Sequence, residues 1–74
     1  MIPPGETIGI LGGGQLGRMI AVAAAQLGYR CHVYAPEADS IAAEVCGAFT
    51  NAAWDDTEAM ARFAADCAVV TYEF

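Results

Sequence analysis

Three consecutive glycines, Gly12, Gly13 and Gly14, separate an apolar run from an amphipathic one, and this junction constrains the fold more than any other feature. Thr7 to Leu11 is short, apolar and closed by glycine, the pattern of a buried strand. Beyond the glycines, apolar residues recur at Leu16, Met19, Ile20, Ala23, Ala24 and Leu27, which predicts one face of an amphipathic helix. Gly28 stands where the residue that ends such a helix belongs. A strand that turns through glycine into a helix opens a βαβ unit, and the rest of the chain continues the alternation.

Arg30 to Tyr34 reads as a second strand, interrupted at Pro36, and Asp39 or Ser40 can cap a short helix from Ile41 to about Cys46. Ala48 to Ala52 is a weak third strand. Asp55-Asp56-Thr57-Glu58 has the cap and the acidic first turn of a helix start, with Met60, Phe63 and Ala64 as its apolar face to about Ala65. Ala68 to Tyr72 reads as a fourth strand. The order β-α-β-α-β-α-β implies an α/β fold with a parallel, doubly wound sheet and helices on its faces. Seventy-four residues with 16 alanines and no disulfide or metal staple make a thin core. The chain, ending directly after a strand, therefore reads as the first half of a larger α/β domain.

Charge narrows the partners. Nine carboxylates against three arginines and no lysine give a net charge of −6. That composition supplies neither the basic stripe that nucleic acid requires nor attraction to an anionic membrane surface. Without lysine there is no Walker A loop. Cys31, Cys46 and Cys67 form no C-x-x-C, and neighbours Cys31 and His32 on one strand point to opposite faces, so no metal site is expected. The cysteines read as small buried hydrophobes in a reducing compartment. The N-terminus lacks the basic and apolar regions of a signal peptide, and no apolar run approaches the roughly 20 residues of a membrane span. A soluble, cytoplasmic chain is the expectation.

Gly12-Gly-Gly14-Gln15-Leu16-Gly17 fits G-x-G-x-x-G between a predicted strand and a predicted helix. Glycine allows the tight turn and close approach of a ligand, and the helix start offers N–H groups and the positive end of the macrodipole. A plain strand-to-helix turn would need only the backbone freedom of glycine. A dinucleotide is the obvious ligand, yet the second strand ends Val33-Tyr34-Ala35-Pro36, without the acidic residue that binds its ribose. With strand order 3-2-1-4, the topology reverses between strands one and four, and ligands bind outside the carboxyl ends at that switch point. Glu73, at the carboxyl end of strand four, is then expected to face the glycine loop. Arg18 is read as solvent-facing, Trp54 as a packing residue, and Asp55 and Asp56 as a helix cap. No nucleophile–base pair is visible, so no catalytic residue is assigned.

Two stretches, Ile8-Gly-Ile-Leu-Gly-Gly-Gly-Gln-Leu-Gly-Arg-Met19 and Val69-Val-Thr-Tyr-Glu-Phe74, resemble the start of the N5-carboxyaminoimidazole ribonucleotide synthetases, ATP-grasp ligases of purine biosynthesis. The resemblance covers nearly the whole chain in order and spacing. It implies an incomplete Rossmann-like, pre-ATP-grasp N-terminal domain over residues 1–74. In that family bicarbonate is joined to the amine of 5-aminoimidazole ribonucleotide as ATP is cleaved, through carboxyphosphate on the usual account. The resemblance assigns acceptor binding to Gly14, Gln15, Leu16 and Glu73. It leaves ATP and magnesium to domains absent from this chain, so these residues alone are not expected to be active. The remainder of the same enzyme is the implied partner, and a homodimer is common in the family. Many members have aspartate where Ala35 stands, so any contact made by that carboxylate is missing here. The alternatives are an NAD(P)-binding segment of an oxidoreductase and an α/β module without a ligand.

Overall fold

The computed structural model describes residues 3–72. Strands β1 (Thr7–Leu11), β2 (Arg30–Ala35), β3 (Ala48–Asn51) and β4 (Val69–Tyr72) form one sheet of order β3-β2-β1-β4, in which every pairing is parallel. Helix α1 (Gln15–Gln26) links β1 to β2, a 3-10 turn (Ala42–Val45) lies between β2 and β3, and helix α2 (Thr57–Asp66) links β3 to β4. The architecture is the parallel α/β sheet expected from the alternation, and the boundaries differ from expectation by a residue or so, as fraying ends do.

Strand alternation divides the core between two faces. Ile10, Cys31, Val33 and Ala35 turn to one side, where they pack with Ala21 and Ala24 of α1 and Ala42 of the 3-10 turn. Tyr34 turns to the other, against Ala59 and Phe63 of α2, with Leu11 and Met60 around them. Pairing of Ile10 with Val33 and of Ile8 with Cys31 keeps the first set in register across β1 and β2. Covering both faces is what a parallel sheet needs.

Both helix ends have local causes. Gly28 has φ +90°, and behind it Tyr29 N–H donates to Ala24 O at 2.9 Å while Gly28 N–H donates to Ala25 O at 3.1 Å, a Schellman closure of α1. At the start of α2, an Asp56 carboxylate oxygen accepts from Ala59 N–H at 3.0 Å, so Asp56 of the acidic pair serves as the cap.

Three expectations need correction. The buried residues of α1 are Gly17, Ala21 and Ala24, with Ile20 half-buried beside them, whereas Leu16, Met19 and Leu27 are 50%, 62% and 70% exposed and Ala23 is exposed as well. Only small side chains are fully buried between helix and sheet, Ile20 packs at the margin of that contact, and Leu16, Met19 and Leu27 turn outward. On α2, Phe63 is buried and Met60 half-buried, but Ala64 is exposed and Ala59 takes its place in the core. The helix expected from Ile41 to Cys46 is a single 3-10 turn, held at its start by a bond from Ala42 N–H to Gly13 O at 3.0 Å.

Candidate acceptor site at the glycine loop

The glycine loop sits at the carboxyl ends of β1 and β2, and each of its three residues has a different task. Gly12 has φ +113°, a conformation that glycine adopts without penalty, and its N–H donates to Tyr34 O at 2.9 Å. Gly13 is hemmed in: a Cβ there would lie 1.9 Å from Ser40 Oγ and 3.1 Å from Ala35 Cβ. Its carbonyl accepts from Ser40 Oγ–H at 2.8 Å and from Ala42 N–H at 3.0 Å. Gly14 is the N-cap of α1 and accepts from Arg18 N–H at 3.0 Å. No side chain caps this helix start and no acidic residue lies in its first turn.

A cavity of about 350 Å³ opens against the loop, walled by Gly12 to Gly14, Glu37, Asp39, Ser40, Ile41 and Trp54. Trp54 is 45% exposed, and its ring lies 5.6 Å from that of fully buried Tyr34. The Tyr34 hydroxyl donates to Ala53 O, which ties the β2 strand to the loop that carries Trp54. Burial, reinforced by the charges of Asp56 and Asp55, pushes the Tyr34 phenol above its ordinary value. The cavity therefore combines backbone groups and an aromatic face with two carboxylates, a lining suited to hydroxyl or amine donors.

Of the four expected site residues, Gly14 lines this cavity. Gln15 and Leu16 are exposed in the first turn of α1 just beyond it. Glu73 lies outside the described residues. Tyr72 before it pairs with Leu11, which brings the end of β4 beside the strand that feeds the glycine loop. The expected neighbourhood of β1 and β4 at a switch point is thus present. Glu37 and Ile41 line the site without a sequence signal for it, and Asp39 had a signal only as a cap, because only the path after Pro36 brings them over the loop. Ser40 was legible only as a cap.

Away from the loop, His32 and the cysteines sit in structural surroundings. His32 Nδ1 lies 2.8 Å from Asp66 Oδ2 and Nε2 lies 2.6 Å from Thr50 Oγ1, while Cys31 packs in the core of the opposite face. Burial pushes the Cys31 and Cys67 thiols up, helped by Cys46 at Cys31 and by Asp66 and Cys31 at Cys67. Among the described residues, no group of three or more His, Cys, Asp or Glu could hold a metal ion. Arg18 is exposed on α1. No helix of the described residues is long and apolar enough to cross a membrane.

The end of β2 offers no support for a dinucleotide. Ala35 is completely buried and faces Gly13, so neither a ribose acceptor nor space for one exists at that position. Comparison with known proteins points elsewhere. The family described as the ribonucleotide synthetase preATP-grasp domain matches residues 5–74. A bifunctional purine synthesis protein of Dictyostelium discoideum is 53% identical over 74 residues, all of this chain and 7% of the relative. An N5-carboxyaminoimidazole ribonucleotide synthase of Brucella melitensis is 52% identical over 99% of this chain and 20% of its own length. The structure of N5-carboxyaminoimidazole synthetase from Staphylococcus aureus complexed with ADP superposes with a TM-score of 0.95 at 42% identity, covering 99% of this chain and 20% of that one. The chain thus spans a fifth or less of these relatives. With the family matched over residues 5–74 and with sequence and fold alike over 99% of its length, the chain belongs to the ribonucleotide synthetase preATP-grasp domain family.

Proposed function

We propose that residues 1–74 are the N-terminal acceptor-binding segment of a cytoplasmic ATP-dependent ligase. That ligase would carboxylate 5-aminoimidazole ribonucleotide with bicarbonate to N5-carboxyaminoimidazole ribonucleotide. The observation that carries the reading is 52% identity to a synthase of that name across 99% of this chain, the glycine loop included. The backbone of Gly14, Gln15 and Leu16 holds the ribonucleotide at the start of α1, and Glu73 accepts from its hydroxyls or amine. A carboxylate in that role suits a donor-rich ligand, and it leaves the phosphate to be held away from Glu37 and Asp39, whose charges repel it.

ATP and magnesium do not fit this segment. It has no lysine to place over the nucleotide phosphates, and its described residues form no carboxylate cluster for a metal. The similar Staphylococcus aureus enzyme carries ADP. We assign nucleotide, magnesium and bicarbonate to the portion of the ligase that this chain does not span, and a homodimer to the assembled enzyme. What these residues supply is position: an acceptor held with its amine oriented loses less freedom at the reaction than one that diffuses in.

Titration of 5-aminoimidazole ribonucleotide and of NADH against the full-length protein tests the reading. Saturable binding of the ribonucleotide is expected, weakened about tenfold by Glu73→Gln through loss of one charge-assisted hydrogen bond. Binding of NADH without binding of the ribonucleotide overturns it.

A further inference from the structure

We propose that Ser40 is a positioning residue for the acceptor site, acting by locking the Gly13 carbonyl from which the start of α1 is aimed. This rests on the reading of the glycine loop as the acceptor site. In G-x-G-x-x-G the second position is free to vary, yet here it is glycine, and Ser40 is the reason. The Ser40 side chain occupies the space a Cβ on Gly13 would need, with Oγ 1.9 Å and Cβ 2.7 Å from that point. Gly13 and Ser40 are therefore one coupled pair, 27 residues apart in sequence.

The contact is a lock as well as a filler. Ser40 is polar and only 6% exposed. Its hydroxyl donates to Gly13 O at 2.8 Å and accepts a long bond from Ala43 N–H at 3.4 Å. Ala42 N–H supplies a second donor to the same carbonyl at 3.0 Å. Two donors on one oxygen hold the orientation of the Gly13–Gly14 peptide. Because that peptide is planar, they also set the direction of the Gly14 N–H and the entry of the chain into α1. Ser40 lines the cavity, but its hydroxyl is engaged with the loop, so it acts on the ligand through the backbone.

The test uses the full-length protein and its steady-state kinetics, with 5-aminoimidazole ribonucleotide and ATP varied separately. Ser40→Ala is expected to raise KM for the ribonucleotide about tenfold, the effect of one lost hydrogen bond at the loop, with KM for ATP unchanged. Ser40→Thr, which keeps the hydroxyl, is expected to stay nearer the wild type. Thermal unfolding separates this from loss of fold: a merely structural role lowers the active fraction and hence kcat, and leaves both KM values alone. An unchanged ribonucleotide KM in folded Ser40→Ala overturns the proposal, as does an equal rise in both KM values. Should Ser40→Ala not fold, Gly13→Ala with Ser40→Gly refills the space without the hydroxyl, and the same KM comparison decides. Wild-type protein that turns over no ribonucleotide would instead refute the proposed function, with its own result separate from the variants.

Discussion

His32 and Asp66 join the middle of the sheet to the end of α2, with Nδ1 of the imidazole 2.8 Å from Oδ2 of the carboxylate. The carboxylate only accepts, so Nδ1 carries the hydrogen, while Nε2 is hydrogen-bonded to the Thr50 hydroxyl at 2.6 Å. Phe63 meets the imidazole edge-on at a centroid distance of 4.9 Å. The two partners differ in exposure, at 11% for the His32 side chain and 56% for Asp66. His32→Leu leaves Thr50 without its partner in a half-buried site, and is expected to cost about 1–3 kcal/mol in a denaturant titration. Asp66→Asn keeps an acceptor and loses only a solvent-screened attraction, so less than about 1 kcal/mol is expected. Equal losses from the two variants would contradict this division.

The parts of the fold that sequence makes legible are those in which local pattern and tertiary demand coincide. Thr7–Leu11 is apolar, short and followed by glycine, and no other element competes for it. Asp56 caps α2 through atoms three residues away, so its signal is entirely local. The face of α1 is different. Periodicity weights large apolar residues and points to Leu16, Met19 and Leu27, but the sheet admits only Gly17, Ala21 and Ala24 as its fully buried contacts. The candidate site divides in the same way. Gly14 and its helix start are visible in a motif, whereas Ser40 and Trp54 reach the loop through a path after Pro36 and after β3 that no spacing rule encodes.

The corrected face of α1 can be checked by paired substitutions. Ala21 is 1% exposed and packed among Ile10, Val33 and Ala24, so Ala21→Leu must force the helix off the sheet. A loss of about 1–3 kcal/mol is expected from that overpacking. Met19→Gln, at a position 62% exposed, is expected to change stability by no more than about 0.5 kcal/mol. A larger loss from Met19→Gln than from Ala21→Leu would restore the face that periodicity favours.

Alkaline pH should act through two buried groups, Cys31 and Tyr34, and half-buried Cys67. Burial first, then Cys46, holds the Cys31 thiol above its ordinary value of 9.0. Burial, then Asp66 and Cys31, does the same at Cys67. The Tyr34 phenol is held above 10.0 by burial, then Asp56 and Asp55. Raised folded values mean that the folded chain keeps protons which the unfolded chain releases. Their contribution to stability is complete below the unfolded values and is lost as pH rises through the folded ones. The thermal midpoint is therefore expected to stay level from about pH 7 to about pH 8.5 and to fall above the thiol value. The combined variant Cys31→Ala, Cys67→Ala should delay that fall toward the phenol. An identical onset in wild type and variant would remove the thiols as its cause.

Gly9 is a place where the end of α2 comes close to the sheet. A Cβ there would lie 2.6 Å from Cys67 Sγ, 2.8 Å from Phe63 Cζ and 3.2 Å from a Val70 methyl carbon. Phe63 is 1% exposed and is the anchor of the second core, so it has no free direction in which to withdraw. Nor can Cys67 yield easily, because its thiol donates to Phe63 O at 3.1 Å within the closing turn of α2. Gly9→Ala is expected to cost about 1–3 kcal/mol by pushing α2 outward, even though alanine suits a strand no worse than glycine does. Shortening the helix side should recover part of that cost: with Cys67→Ala the nearest obstruction is gone, while Phe63 still opposes the new methyl group. Unfolding of Gly9→Ala, Cys67→Ala and the pair gives the coupling directly, and strict additivity of the two losses would show that the strand and the helix do not meet at this point.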